Sequence, residues 1–185
     1  MIAIIYFILG GLIMNGEKTI FDFSFPETSG EWRIINDDVM GGVSKSRFNL
    51  NEKGIANFSG TLSQDNNGGF ASVRTYVEEN NLNEFTGVII NAKGDGNLYN
   101  LRFRTDQHYD GIAYQAKFRS DANKWIEFKI QFRDFVPTFR GKNVPNQPEL
   151  ESKNIKQIGI LIADKQFGDF ELNIDYIKFY KDEEI

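Results

Sequence analysis

Residues 35–44 read Ile-Asn-Asp-Asp-Val-Met-Gly-Gly-Val-Ser. A second stretch, residues 58–74, reads Phe-Ser-Gly-Thr-Leu-Ser-Gln-Asp-Asn-Asn-Gly-Gly-Phe-Ala-Ser-Val-Arg. Both set polar turn residues and a pair of glycines between apolar runs that are typical of strands. Asn and Asp hydrogen-bond their own backbone, and Gly takes positive φ at little steric cost. We call these the first and second turn motifs. They predict a shaped rim on a rigid sheet scaffold.

The composition is that of one globular, aromatic-rich domain. The 185 residues are 41% hydrophobic and 25% charged, and 17 of them are Phe. The chain has no Cys, which excludes disulfides and thiolate-ligated zinc or iron–sulfur sites. The formal net charge is −5 and no cluster of Lys and Arg is present, which argues against nucleic acid as a partner.

Residues 1–14 form an uncharged apolar segment, MIAIIYFILGGLIM, ahead of a folded domain that is predicted over residues 15–185. The segment is shorter than the roughly 20 residues of a membrane span, and it lacks the positive start and cleavage site of a signal peptide. Three alternatives stay open: a true start at Met14, an export signal or weak anchor, or a part of the fold. We predict a cytoplasmic protein, or an exported or peripherally membrane-associated one if residues 1–14 are genuine.

Short apolar–polar alternations, separated by turn signals at roughly 8–12-residue intervals, predict an all-β jelly-roll sandwich of about ten or eleven strands. The aromatic residues, including Trp32 and Trp125, are predicted to fill its core. Residues 133–148 are predicted to be the longest irregular connection. The predicted strands are 19–24, 32–35, 43–48, 54–62, 70–77, 87–92, 98–105, 112–118, 124–132, 154–164 and 168–180.

Four arginines, Arg74, Arg102, Arg104 and Arg140, are the most informative candidates for binding. Residues 98–105 alternate so cleanly that Arg102 and Arg104 fall on one face, opposite an apolar face. With Arg74 on an adjacent strand, they would form a cationic patch for carboxylates, phosphates or sugar hydroxyls. The alternative is that these arginines pair with acidic residues and hold the rim loops, and the candidates are Asp37, Asp38, Asp65, Asp95 and Asp106.

Two further features bear on binding. Phe139 and Arg140 lie in a stretch whose aromatic and Arg content is typical of a partner contact. Asp37, Asp38 and Asp65 of the turn motifs could bind a hard cation such as a structural Ca²⁺. The alternative for these carboxylates is plain turn capping. No other cofactor is predicted.

The sequence contains no strong catalytic pattern. His108 is the only His, and no Gly-x-Ser-x-Gly elbow is present. Adjacent Asp37 and Asp38 would point to opposite sides of an extended chain, which does not suit a catalytic pair. We therefore predict a non-catalytic protein.

The turn motifs also carry a resemblance to a known family. Residues 32–44 resemble the signature of the complex I intermediate-associated protein 30 family. Further similar stretches follow in order, so that the resemblance covers residues 19–180. They are residues 58–60, 67–74, 94–96, 99–104, 114–118, 125, 132–135, 139–141, 158–162 and 168–174.

The resemblance implies a galactose-binding-like β-sandwich. Mitochondrial members of that family are assembly factors for respiratory complex I, and they bind membrane-arm intermediates in a chaperone-like manner. The scaffold is shared with many carbohydrate-binding modules, and a fold alone does not give a function. No transit peptide is visible, so the resemblance implies a stand-alone, bacterial member.

The leading hypothesis is a non-catalytic, assembly-factor-like module for a protein partner, such as an assembly intermediate of a respiratory or other membrane complex. The alternatives are a carbohydrate-binding module that uses the same face and, third, a hydrolase. The residues predicted to contact the ligand or partner are Asp37, Asp38, Met40, Asn67, Arg74, Arg102, Arg104, Phe139 and Arg140.

Overall fold

The computed structural model describes residues 16–78 and 81–182, so the predictions for residues 1–14 fall outside the described part of the chain. Over that part the protein is a β-sandwich of two antiparallel sheets, which confirms the predicted fold class. None of the described residues belongs to a helix with the length and apolar character needed to cross a membrane.

Thirteen strands are present in the described ranges. They are β1 Glu17–Asp22, β2 Arg33–Asn36, β3 Lys45–Leu50, β4 Ala56–Leu62, β5 Ala71–Tyr76, β6 Gly87–Lys93, β7 Leu98–Arg104, β8 Ala113–Arg119, β9 Ile126–Gln131, β10 Val136–Phe139, β11 Lys142–Asn143, β12 Gln157–Ile162 and β13 Gly168–Tyr180. Short 3-10 turns occupy Pro26–Thr28, Asp37–Met40, Asp65–Asn67, Phe132–Asp134 and Ser152–Asn154.

The first sheet has six strands in the order β3-β4-β13-β6-β9, with β1 also paired to β13. The second has seven, in the order β11-β10-β8-β7-β12-β5-β2. The long strand β13 has three neighbours, because on one side its first half pairs with β4 and its second half with β1, and its other side pairs with β6. The register shifts between Ile174 and Tyr176 separate these halves. Most paired strands are distant in sequence, as in a jelly roll.

The core lies between the sheets and is strongly aromatic. On β7, Tyr99 and Phe103 are fully buried while Arg102 and Arg104 point outward, so the alternation predicted for this strand is confirmed. Phe103 meets Phe179 of the opposite sheet edge-on, with 5.8 Å between ring centroids. Such pairs add roughly 0.5–1.5 kcal/mol beyond the area they bury.

The two tryptophans differ in burial. Trp32 stacks on Phe48 with 5.0 Å between ring centroids and packs against the core, as predicted. Trp125 is 42% exposed, so its assignment to the core is wrong. It lies directly before β9, which is an edge strand of the first sheet, and the packed interior does not extend to that position.

The prediction of an irregular connection over residues 133–148 is also wrong, because β10 and β11 form a hairpin there. Arg140 and Gly141 make its two-residue turn with φ of 47° and 76°. Positive φ at both positions is the geometry that a tight hairpin needs, but Arg rarely adopts it. The sequence therefore carried no turn signal beyond the single glycine, and Pro137 argued against a strand.

Candidate functional site

One carboxylate ties the two turn motifs together. Asp37 is fully buried at the start of its 3-10 turn. Its Oδ1 accepts a hydrogen bond from the Ser44 amide at 2.9 Å. Its Oδ2 accepts from the Ser44 hydroxyl at 2.5 Å, from the Gly69 amide at 2.6 Å and from the Phe70 amide at 3.3 Å. Asp37 therefore supports the rim from inside.

This environment corrects the role predicted for Asp37. Burial acts to raise the pKa of Asp37, but the Ser44 hydroxyl and the surrounding backbone amides outweigh it and hold that pKa below its usual value. With its oxygens occupied by donors, Asp37 suits neither a partner contact nor a metal, and turn capping describes it. Within residues 16–78 and 81–182, no three His, Cys, Asp or Glu side chains are grouped so as to hold a metal ion.

The exposed part of the rim carries the other predicted residues of the turn motifs. Asp38, Met40 and Asn67 are exposed, and Met40 reaches 68%. The Asn66 side-chain amide donates to the Gly41 carbonyl at 3.1 Å, which fixes one motif against the other. The rim therefore presents these three side chains to solvent from a braced backbone.

The arginines meet on the outer face of the second sheet, although their strands are not adjacent. Arg74 on β5 and Arg102 on β7 both pair in register with Gly159 of β12, which lies between them. Arg33 on β2 lies opposite Arg74 and extends the row, and Arg104 follows two residues after Arg102. Because neighbouring strands are about 4.8 Å apart, the backbones of Arg74 and Arg102 are separated by roughly 10 Å. We call this the arginine face.

A loop, residues 105–112, anchors two of these arginines by its carbonyl groups. Nη1 of Arg74 donates to the Tyr109 carbonyl at 2.9 Å, and Nη1 of Arg104 donates to the Gly111 carbonyl at 2.6 Å. The Arg74 guanidinium also lies 5.0 Å from the centre of the Tyr109 ring. Arg102 donates no hydrogen bond to any described residue, and its Nε is buried without a partner.

No carboxylate among the described residues is in ion-pair contact with Arg74, Arg102 or Arg104. Burial, with repulsion from Arg104 and Arg74, lowers the pKa of Arg102 to about 10. None of Asp37, Asp38, Asp65, Asp95 and Asp106 forms an ion pair with these arginines. Burial lowers the pKa of Arg104, although attraction by Asp106 acts to raise it. Arg74 and Arg104 hold a loop, as the alternative of pairing with acidic residues expects, but they do so through its carbonyl groups.

The last two predicted residues lie at the edge of this face. Arg140 forms an ion pair with Asp110 at 2.7 Å, and its guanidinium lies 5.1 Å from the centre of the Phe139 ring. The hydrogen bond from Arg140 holds the pKa of Asp110 below its usual value. Phe139 is 38% exposed. The hairpin of β10 and β11 thus contacts the same loop that anchors Arg74 and Arg104.

Sequence reasoning missed a groove on the opposite side of the sandwich. It has a volume of about 550 Å³, and the exposed Trp125 ring forms one of its walls. The Oδ1 of Asn91 is buried there without a hydrogen-bond partner among the described residues. A Trp directly after the polar residues Asn123 and Lys124 was the available signal. The lining residues are Asn51, Lys53, Ile55, Asn91, Lys93, Trp125, Asn173 and Asp175.

Sequence comparison places the chain among known proteins. It matches the family model described as Complex I intermediate-associated protein 30 over residues 21–174. An uncharacterized protein of Schizosaccharomyces pombe is 32% identical over 179 residues, which cover 84% of this chain and 81% of that protein. Complex I intermediate-associated protein 30, mitochondrial, of Mus musculus is 23% identical and covers 92% of this chain. The match spans 58% of the length of the mouse protein.

Structural comparison shows the fold. A family 11 carbohydrate-binding module from Clostridium thermocellum, solved with a β-1,3-1,4-mixed-linked tetrasaccharide, superposes with a TM-score of 0.69 and 19% identity. The match covers 93% of this chain and 99% of that module. An agarase superposes with a TM-score of 0.60 and 14% identity, over 92% of this chain and 25% of the agarase. These likenesses establish a shared jelly-roll architecture.

Proposed function

The chain belongs to the complex I intermediate-associated protein 30 family, and on that premise we propose that it is a non-catalytic module that binds a protein partner through the arginine face and the exposed rim. Relatives of the family from mouse and worm are named for association with complex I intermediates. We propose a partner of the same kind, an assembly intermediate of a respiratory or other membrane complex. The proposal needs no metal or cofactor.

The observation that carries the proposal is the outward-facing row of arginines without carboxylate partners. Arg is enriched in protein interfaces, where its planar fork makes several directed hydrogen bonds. A sheet face of this kind stays cationic at neutral pH in a chain whose net charge is −5. Exposed Met40 and Phe139 add apolar contacts at two edges of that face, which matches the mixed chemistry of interfaces.

The surroundings of His108 support a role without catalysis. His108 is exposed, and its backbone amide donates to Asp106 Oδ1 at 2.9 Å in an ordinary turn. No nucleophile is hydrogen-bonded to its ring among the described residues. A general base must reach the proton that it removes, so this arrangement favours binding over hydrolysis.

We expect Arg102→Gln to reduce capture of the partner at least about tenfold in an affinity purification of the tagged full chain from its native cells, read by mass spectrometry. Phe139→Ala should give a smaller loss. The matched control is Arg47→Gln, because Arg47 is an exposed arginine on β3 of the other sheet. Equal recovery from the wild type and Arg102→Gln would contradict the proposal.

Carbohydrate binding is a second candidate, favoured by the Trp125 groove rather than by the arginine face. An exposed indole beside amide and charged side chains has the mixture of apolar wall and hydrogen-bonding groups that small-ligand sites use. The unpartnered Asn91 Oδ1 could accept a hydrogen bond from a sugar hydroxyl.

We expect a mixed-linked β-glucan tetrasaccharide to change the tryptophan fluorescence of the wild type and to raise its melting temperature if this second function is real. Trp125→Ala should abolish both responses. Tyr109→Ala is the matched control, because it removes an exposed aromatic ring from the loop that follows β7 of the other sheet. Absence of a response across a panel of neutral oligosaccharides would remove the candidate.

A further inference from the structure

Arg102 occupies an unusual position for a charged residue. It is half-buried at the centre of the arginine face, with Arg74 across one strand and Arg104 two residues away. Each of these two neighbours gives one N–H group to the loop of residues 105–112, whereas Arg102 gives none to any described residue. A buried, unsatisfied donor costs free energy unless a partner arrives from outside. The Nε of Arg102 is therefore the donor on this face that has no partner among the described residues.

Gly159 lies between the two arginines and is itself buried. It pairs in register with both Arg74 and Arg102, and it contributes no side chain to the outer face. A Cβ at this position would lie 2.9 Å from the Val73 carbonyl and 3.3 Å from the Arg74 Cβ. The two arginine side chains therefore flank a close-packed stretch of backbone.

The pair of arginines has the chemistry of a carboxylate site. A guanidinium presents a planar fork of donors that matches the two oxygens of a carboxylate, and such charge-assisted pairs are the stronger class of hydrogen bond. Repulsion among the three arginines, which helps to lower the pKa of Arg102, would be relieved by one anion. A large polyanion fits less well, because acidic Asp106 and Asp110 lie at the edge of the same face.

We propose that the arginine face at Arg102, with Arg74 on the far side of Gly159, binds an acidic side chain from an extended segment of the partner protein. Arg104 receives a second acidic side chain two residues along that segment. This inference rests on the proposed protein-binding function and specifies what the partner presents there.

The spacing of the arginines sets the spacing of the acidic residues. Arg102 and Arg104 lie two residues apart on β7, which is roughly 6.7 Å along an extended strand. Side chains on one side of an extended peptide repeat at the same interval. A segment that runs along β7 can therefore meet both arginines if its acidic residues alternate with neutral ones.

The test measures binding of fluorescein-labelled peptides to the full chain by fluorescence anisotropy at an ionic strength of about 0.15 M, where long-range attraction is screened. One peptide of about eight residues alternates Ser and Glu, so that all its carboxylates share one side when extended. A second has the same composition but pairs its Glu residues, and a third carries Gln in place of Glu. We expect the alternating peptide to bind at least about fivefold more tightly than the paired one.

Variants of Arg102 distinguish a specific contact with the carboxylate from general attraction between opposite charges. Arg102→Gln should weaken binding of the alternating peptide by about tenfold or more, and Arg102→Lys should recover little, because Lys cannot form the two-pronged contact. Arg47→Gln on the other sheet is the control and should bind as the wild type does. Since Arg102 has no partner to lose among the described residues, the melting temperature of Arg102→Gln should not fall.

Each contrary result has a defined meaning. Equal affinity for the alternating and paired peptides would overturn the proposed spacing, and binding of polygalacturonate without binding of either peptide would overturn the peptide as the source of the carboxylate. If Arg102→Gln loses the native partner but no acidic peptide binds, this inference fails while the proposed function stands. If the alternating peptide binds as expected but Arg102→Gln recovers as much native partner as the wild type does, the proposed function fails instead.

Discussion

Replacing Asp37 with Ala is expected to lower the free energy of unfolding by about 4 kcal/mol, whereas Asp38→Ala should change it by less than about 0.5 kcal/mol. The Asp37 carboxylate is fully buried and accepts hydrogen bonds from the Ser44 amide and hydroxyl and from the amides of Gly69 and Phe70. Its removal strands these donors and opens a cavity. Asp38 is exposed, so its loss leaves no buried group unpaired.

Urea denaturation of the two variants measures the contrast, and the neighbouring position makes the control closely matched. In a chain of this length the Asp37→Ala loss corresponds to roughly 8–16 °C in melting temperature. Equal effects of the two substitutions would show that the buried hydrogen bonds of Asp37 are not what holds the rim together.

The dependence of stability on pH provides a second measurement of the role of Asp37. The pKa of Asp37 is lowered on folding, so its contribution to stability is fully present above the pKa of an unfolded Asp, whose usual value is 3.8. That contribution is lost as the pH falls further, through the folded pKa. The stability difference between the wild type and Asp37→Asn should therefore be constant near neutral pH and should shrink below about pH 4. A difference that is unchanged in acid would contradict the role of the ionised carboxylate.

Sequence patterns predicted those features of the fold that depend on alternation. β7 is an example, since its buried Tyr99 and Phe103 and its outward Arg102 follow from a period of two. The pairing of strands could not be predicted, because it is fixed by contacts between distant parts of the chain. The position of Gly159 between Arg74 and Arg102 is a consequence of that pairing, so the arginines looked adjacent and proved to be separated by β12.

The orientation of single residues in the candidate site could not be predicted from the sequence either. Asp37 and Asp38 carry identical side chains, and the 3-10 turn rotates one inward and the other outward. No local pattern distinguishes them. The prediction that Trp125 lies in the core follows from where aromatic residues usually lie. Only its position before the edge strand β9 reveals that it is exposed.

The paired glycines of the two turn motifs are required for two different reasons. Gly41 has φ of 87° and Gly69 has φ of 120°, with open space around both, so these positions favour Gly for their backbone angles. Gly42 and Gly68 instead pack directly against Asp37. A Cβ on Gly68 would lie 2.5 Å from Asp37 Oδ2, and one on Gly42 would lie 2.8 Å from the Asp37 Cβ and closer still to its carboxyl carbon.

Gly42→Ala is therefore expected to destabilise the fold by about 2–3 kcal/mol, at the upper end of overpacking effects. Neither side of the contact can move freely. The Gly42 amide donates to the Asp37 carbonyl at 2.9 Å, and the Asp37 carboxylate is held by the donors of Ser44, Gly69 and Phe70. Gly41→Asn is the control, because Asn tolerates positive φ and no atom lies within 4 Å of the added Cβ. It should cost less than about 1 kcal/mol.

A double-mutant cycle identifies the cause of the Gly42→Ala effect. In an Asp37→Ala background the carboxyl group is gone, and only the approach of the two Cβ atoms at 2.8 Å remains. Gly42→Ala should then cost about 1–2 kcal/mol less than in the wild type, a coupling in the range measured for residues in contact. Additive effects would mean that the added methyl group is resisted by something other than the Asp37 side chain. A clear coupling would show that this glycine and this carboxylate act as one unit, which both turn motifs are built to enclose.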